Sequence, residues 1–338
     1  MTPNNLALPA PIKMTAALDV EGSGPFRSVQ VDALVVMKII QHGSHTFPAI
    51  ATGQLLGLDS DGILQVTYSF PHVAEDPSVS SKLSEDMMKC LEEVNIDNNI
   101  VGWYQSAYLG SYLNTGLVET QFQYQQKVSD RTVVLVYDVS KSAQGALALK
   151  AFRLSQNFLA AQKEGKFTSE SLRNHNLTYH DILQELPVEI HNSQLVKTLL
   201  LSLSPPDPFT PNFDALDINI DPYLEKNIEI LNDTIDDYNY DQGNQQWYQR
   251  QLAREQTKIQ QWQAKRKSEN VARQLAGQPP LPEDEWQTLF RPPNEPSKLE
   301  NILLSAQIDQ YCKQIETHGA VSLTKLYCSQ GLQETNSS

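Results

Sequence analysis

Cysteine is scarce in this sequence and widely scattered: Cys90, Cys312 and Cys328 are the three in 338 residues. An odd set with no CxxC or Cys/His spacing does not make a disulfide frame or a structural zinc site, and it fits a reducing compartment. Long apolar runs are missing as well. A helix that crosses a bilayer needs about 20 apolar residues. The longest candidates here, 33–40 and 195–203, are each interrupted by a lysine, Lys38 and Lys197. No basic stretch followed by an apolar one opens the chain, so a secretion signal is not expected. Positive charge is the third scarcity. Against 40 Asp and Glu stand 26 Lys and Arg, a formal net charge of −14. That balance excludes a protein whose whole surface wraps nucleic acid, while leaving room for a local basic patch. Together these absences predict a soluble, intracellular, cytoplasmic protein.

What is present is ordinary globular material. A hydrophobic content of 40% rules out a chain that is disordered overall. Its length allows one good core with further helical parts attached. Residues 1–26 have no period and are expected to be a tail. From Val29 the pattern sharpens into one or two strand residues and then a helix. Asp32 is the expected N-cap, with Leu34, Val35, Lys38 and Ile39 on one face. Residues 50–59 and 63–70 read as a hairpin turning at Asp61-Gly62. Residues 80–94 read as an amphipathic helix with Leu83, Met87, Leu91 and Val94 on its apolar side. A short apolar strand follows at 100–104, left by Gln105, Ser106 and Ala107. Then come a helix over 113–126, a buried-type strand over 132–137 and an alternating one over 146–154. This order predicts an α+β domain, a curved sheet layered with helices. Its expected extent is 27–203, closing with residues 187–192 and a helix over 193–203.

Beyond it the composition changes. Residues 204–213 hold the proline-rich SPPDPFTPN and cannot be helical. Residues 214–278 read as an acidic helix followed by a basic, Gln-rich one. The acidic part repeats Leu224, Ile228, Leu231, Ile235 and Tyr238 at helical spacing. Seven cations between Trp247 and Arg273 face only Glu255 and Glu269. With Trp247 and Trp262 they offer a direct RNA contact. The plainer alternative is a solvated helix whose charges pair with the acidic helix before it. Residues 279–296 form a proline-bounded segment anchored by Trp286, Leu289 and Phe290. Residues 297–338 read as C-terminal helices, one over 297–317 and a shorter one over 322–330, with a polar tail. The first presents Leu299, Ile302, Leu303, Ala306, Ile308, Tyr311 and Ile315 as an apolar side. Such a stripe must be buried, either on its own domain or, the favoured reading, against partner helices in a bundle.

The stretch VGWYQSAYLGSYLNTGLVETQ, from Val101 to Gln121, resembles the core of the MPN (JAMM) family. Its active members are zinc isopeptidases with Gly-Trp-Tyr-His-Ser-His-Pro, then Ser-x-x-Asp and a distant Glu. Two imidazoles and a carboxylate hold zinc with one position open for water, and the Glu takes that water's proton. Here Gln105 and Ala107 stand at the histidine positions and Tyr108 at the proline. The Asp position falls on Val118, or on Leu117 if the trailing Thr120-Gln121 is aligned instead. Ile50 stands at the Glu position. Glu119 is a carboxylate without imidazoles. The resemblance therefore implies a non-catalytic MPN domain with no metal and no cofactor. His42 and His45 are the one close histidine pair, and an ordinary loop or helix-end role is the expectation for them.

The segments PPLPEDEWQTLFRPP (279–293) and LLSAQIDQYC (303–312) narrow the likeness. With Gly102-Trp103-Tyr104-Gln105-Ser106 they resemble the h-subunit family of eukaryotic translation initiation factor 3. The resemblance implies a scaffold that helps recruit mRNA and initiator tRNA to the small ribosomal subunit. It implies pairing, through the MPN domain, with the f subunit of that factor, and a helical bundle with others such as the c, e, k and l subunits. A scaffold of the proteasome lid or the signalosome shares the same logic, and the 279–293 segment argues against it. A zinc isopeptidase is the remote third reading.

Overall fold

A computed structural model describes residues 27–337 apart from 61, 73–76, 144–146, 166, 203–221, 276–278, 280–281, 283–288 and 291–292. The expected tail over 1–26, the linker over 204–213 and Trp286 lie outside the described residues. The chain enters through β1 (Ser28–Asp32) and turns at once into α1 (Ala33–Thr46), with Asp32 extended at the N-cap. The hairpin β2 (Thr52–Ser60) and β3 (Ile63–Pro71) pairs antiparallel, and Gly62 takes a φ of 81° at its turn. Only glycine adopts that conformation without steric cost. Then follow α2 (Pro77–Glu93), β4 (Ile100–Ala107), α3 (Thr115–Lys127), β5 (Val133–Asp138), α4 (Val139–Ala143) and β6 (Leu149–Leu154). The domain finishes with α5 (Gln156–Glu164), α6 (Ser169–Asn174), β7 (Leu183–Leu186), β8 (Val188–His191) and α7 (Gln194–Ser202).

The eight strands form one sheet in the order β7-β6-β5-β4-β2-β3-β1-β8. β7 and β8 are therefore opposite edges, although Pro187 alone separates them in the chain. Two edges joined by a single residue must lie close together, so the sheet is curled nearly into a barrel. The closing stitch is short: the Val29 amide donates to the Pro187 carbonyl at 2.9 Å. Short as it is, β1 is held on both sides, parallel to β3 and parallel to β8.

Curling puts one apolar cluster on each face. Val133, Leu135 and Tyr137 of β5 join Val35 and Ile39 of α1, while Val134 and Val136 join Met88, Leu91 and Leu117 of α2 and α3. Strands buried on both faces read as continuous apolar runs, which is the pattern of β4 and β5. Gln105, Ser106 and Ala107 continue β4, paired with β5, where a departure from the strand was expected. The helical faces are also rotated from expectation. In α1, Val36 is buried and Leu34 is 49% exposed. In α2, Ser84, Met88 and Leu91 turn inward and Leu83 and Met87 are exposed, as is Val94 just past its end.

Beyond the sheet lie two long helices, α8 (Pro222–Leu275) and α9 (Leu299–Ser337). The acidic and basic stretches are one continuous helix of 54 residues, so they extend away from each other and cannot pair as a hairpin. Likewise 297–317 and 322–330 fall in a single helix. α8 and α9 pack together, and the Asn301 amide donates to Asp241 at 3.0 Å. The inward face of α8 carries Asn227 and Thr234, both buried, then Asp241, at seven-residue intervals, while Ile228 is 42% exposed. Polar residues at such positions fix register at some cost in stability.

One close approach dictates a residue in the central strand. A Cβ at Gly102 would stand 2.0 Å from the Val133 carbonyl oxygen of β5. Gly102→Ala is expected to cost about 1–3 kcal/mol through overpacking, read as a lower denaturant midpoint followed by circular dichroism.

Candidate functional site

The end of β4 is where the sequence places a lost metal site, and the structure brings most of its positions together. The Ser106 amide donates to the Ala51 carbonyl at 2.8 Å, and the Ala51 amide donates to Ser106 Oγ at 2.8 Å. Ile50 is therefore tied beside Gln105 and Ala107. Gln105 and Ala107 are buried, and Ile50 is 52% exposed. Val118 does not face them. It turns into the cluster of Leu154, Phe158 and Leu303, whereas Leu117 packs in the same cluster as Trp103 and Ala107. Of the two positions weighed for the aspartate, Leu117 therefore shares a cluster with Ala107 and Val118 does not. One apolar side chain at the rim, one amide, one methyl and one isobutyl group offer a metal no anionic or imidazole ligand. Among the described residues no group of three His, Cys, Asp or Glu is placed to hold a metal ion.

The scaffold behind this position is held by neutral polar links. Trp103 Nε1 donates to Gln121 Oε1 at 2.8 Å, and Gln121 Nε2 donates to the Thr132 carbonyl at 2.8 Å. Asn114 caps α3 by accepting the Leu117 amide at 2.7 Å. Ser106, expected as a loop residue, makes its hydrogen bond from within the strand. His42 and His45 do not converge. His42 Nδ1 meets the Tyr104 hydroxyl at 2.9 Å, while His45 is exposed. The neighbour the sequence did not single out is His72. Burial first, and the charge of His42 second, push its pKa down to about 4.

What occupies the ground beyond β4 is the chain's own α9. The loop after β4 turns through Leu109 and Gly110 at φ of 53° and 70°. Gln310 Nε2 donates to the Gly110 carbonyl at 2.7 Å, and Gln307 Nε2 donates to that of Leu113. A Cβ at Gly110 would lie 1.8 Å from Gln314 Nε2 and would push that side chain aside, and the φ of 70° itself favours glycine here. At the entry to α9, the Ser169 amide and hydroxyl donate to Glu295 at 3.0 and 2.6 Å, and the Lys298 amide donates to the Phe167 carbonyl at 3.0 Å. The hydrogen bonds from Ser169, ahead of the charge of Lys298, hold the Glu295 carboxyl below its usual pKa. α8 reaches the same loop through Lys226, whose Nζ lies 3.4 Å from the Tyr108 hydroxyl.

This seat revises the expected partner face. Leu303 and Tyr311 are 3% and 2% exposed, and Leu299, Ile302 and Ala306 pack against the cluster of Leu113, Val118 and Phe158. That part of the stripe is spent on the chain's own domain, because the domain itself leaves an apolar surface beside α3 and α5. Ile308 and Ile315 are half-buried. A cleft of about 240 Å³ remains between α9 and the sheet, lined by Asp138, Lys141, Lys150 and Lys313 among others. Its carboxylate is engaged: Ser140 donates to Asp138 Oδ1 through both its amide and its hydroxyl. No nucleophile and base pair up in it. The arrangement as a whole is suited to holding helices.

Comparison with known proteins agrees with this architecture. A family described as JAB1/Mov34/MPN/PAD-1 ubiquitin protease matches residues 25–130, and one described as the C-terminal region of eIF3h matches residues 142–338. The chain is 45% identical to the Neurospora crassa protein named as the H subunit of eukaryotic translation initiation factor 3, over 93% of this chain and 98% of that one. It is 45% identical to the protein of that name from Aspergillus terreus, over 91% and 96%. The counterpart from Phaeosphaeria nodorum is 44% identical over 90% and 95%. The curled sheet with its helices is an MPN domain, followed by a helical C-terminal region.

The Gly110 seat can be tested directly. Gly110→Ala is expected to strain the left-handed turn and displace the Gln314 amide, loosening α9 on the loop while leaving the sheet folded. Amide exchange over 299–317 should then rise by at least tenfold, as a loss of about 1.4 kcal/mol in local stability requires, with exchange in β4 and β5 unchanged.

Proposed function

We propose, from the premise that this chain belongs to the h-subunit family of eukaryotic translation initiation factor 3, that it is a non-enzymatic scaffold subunit of that complex. The observation that carries the reading is the substitution of all four metal-site positions by Ile50, Gln105, Ala107 and Leu117, three of them buried. A hydrolase of this family needs imidazole and carboxylate groups there, and a fold kept without them is kept for its surfaces. In this reading the protein is cytoplasmic and helps bring mRNA and initiator tRNA to the small ribosomal subunit. Its MPN domain, taken as 27–203, pairs with the f subunit. Its helices join those of others such as the c, e, k and l subunits. The part of α9 that reaches such helices is its distal half, where Val321, Leu323 and Tyr327 are exposed. No helix among the described residues is long and apolar enough to cross a membrane, which is compatible with this setting.

Two measurements test the proposal. Gentle affinity purification of the tagged chain is expected to recover initiation-factor subunits and small-subunit ribosomal proteins; recovery of proteasome-lid or signalosome subunits instead would overturn it. Restoring histidine with Gln105→His and Ala107→His is expected to yield no zinc-dependent cleavage of ubiquitin conjugates, since Ile50 and Leu117 supply neither the base nor the third ligand. Measurable turnover dependent on bound zinc would sink the non-catalytic reading.

A further inference from the structure

The continuity of α8 leaves its basic half without the acidic partner that a hairpin would have provided. At 3.6 residues per turn, Tyr240, Trp247, Arg250, Arg254, Lys258 and Lys265 fall within roughly 80° of arc on one side of that helix. The opposite side carries Tyr248, Leu252 and Ile259, half-buried, and Asn270, buried. The stripe is therefore on the solvent side. Tyr240 and Trp247 are 75% and 60% exposed, and the four cations are exposed. Between Tyr240 and Lys265 no carboxylate stands in that arc. Glu255, about 60° outside it, is half-buried and meets Lys258 at 2.7 Å. Arg250 Nε lies 3.3 Å from the Gln246 carbonyl, which keeps its guanidinium along the helix.

We propose that this face of α8, from Trp247 to Lys265, is a contact for single-stranded RNA. The stripe is about 27 Å long, and Arg250, Arg254 and Lys258 succeed one another at about 6 Å along the axis. Regularly spaced cations track a phosphate backbone, and the exposed Tyr240 and Trp247 ahead of them offer faces on which bases stack without sequence preference. A helical protein partner would require aliphatic side chains at the centre of the contact, and the arc holds none. On an acidic molecule, four exposed cations along one face make a local patch that attracts a polyanion. The choice of RNA over other polyanions rests on the translation-factor reading; the contact itself does not depend on which subunits surround the chain.

The test uses the purified full-length chain and a fluorescently labelled oligouridine, with anisotropy read across a salt series. Binding should weaken with salt with a log–log slope of about −3, as four phosphate contacts on a single strand imply. The charge reversal Arg250→Glu with Arg254→Glu and Lys258→Glu should weaken binding at least tenfold. Trp247→Ala should weaken it by roughly 5- to 150-fold with the salt slope unchanged, the signature of a lost stack. Arg250→Lys with Arg254→Lys should bind within about twofold of the parent, since charge and not guanidinium geometry meets phosphate. The proposal is overturned if the parent chain does not bind at low salt, or if the charge reversal binds as well as the parent. It is overturned equally if Trp247→Ala binds as the parent does, if the lysine pair loses as much as the reversal, or if polyglutamate competes as strongly as RNA. A failure here leaves the copurified set of proteins unaffected, so the two readings fall separately.

Discussion

The closure of the sheet at Pro187 is the constraint on which the rest of the molecule depends. Because β7 and β8 are opposite edges joined through one residue, the sheet has to curl, and curling decides what lies inside and outside. It buries β4 and β5 on both faces, with α1 packed in one concavity and α2 and α3 on the other side. A close-packed interior then tolerates no Cβ at Gly102 against β5. The same curl brings the N-terminal strand β1 between β3 and β8, so that the start and the finish of the domain hold one another.

That frame also explains how a hydrolase-like fold can serve as a seat. The end of β4 lies beside α3 and a left-handed turn at Leu109 and Gly110, which leaves carbonyl oxygens facing outward. Glutamine amides on α9 satisfy two of them, and Leu303 and Tyr311 fill the apolar ground next to them. The Gly110 carbonyl also accepts the Tyr112 amide at 3.0 Å, so what the glutamine amides add is chiefly the direction and register of docking. The outcome is an MPN domain whose helical region is attached at two places, the Gly110 loop and the pair formed by Ser169 and Glu295. From there α8 extends a basic, aromatic face away from an otherwise acidic molecule.

Much of this was legible in the residues. The hairpin and the apolar runs of β4 and β5 follow from period and composition, while the loss of the metal ligands is what the resemblance to the MPN motif implies. The strand β8 was not, because Val188–His191 is four residues long and largely exposed; its pairing with β1 comes from closure and not from an alternating pattern. Leu117 and Val118 could not be told apart by alignment. Their side chains point into different clusters, one with Ala107 and one with Leu303, and only the turn of α3 says which.

By itself the sequence determined the class of fold, glutamine and alanine at positions 105 and 107 of the β4 end, and the amphipathic character of the last helix. These rest on local chemistry: which side chain stands at which position, and how often apolar ones recur. Tertiary structure decided where the stripe of that helix is spent. Periodicity requires that an apolar face be covered and is silent about what covers it. Tertiary structure likewise made one helix of the acidic and basic stretches, which sent their charges apart and left Arg250, Arg254, Lys258 and Lys265 facing solvent. A charge pattern fixes sign along the chain; only the path of the backbone fixes which charges meet.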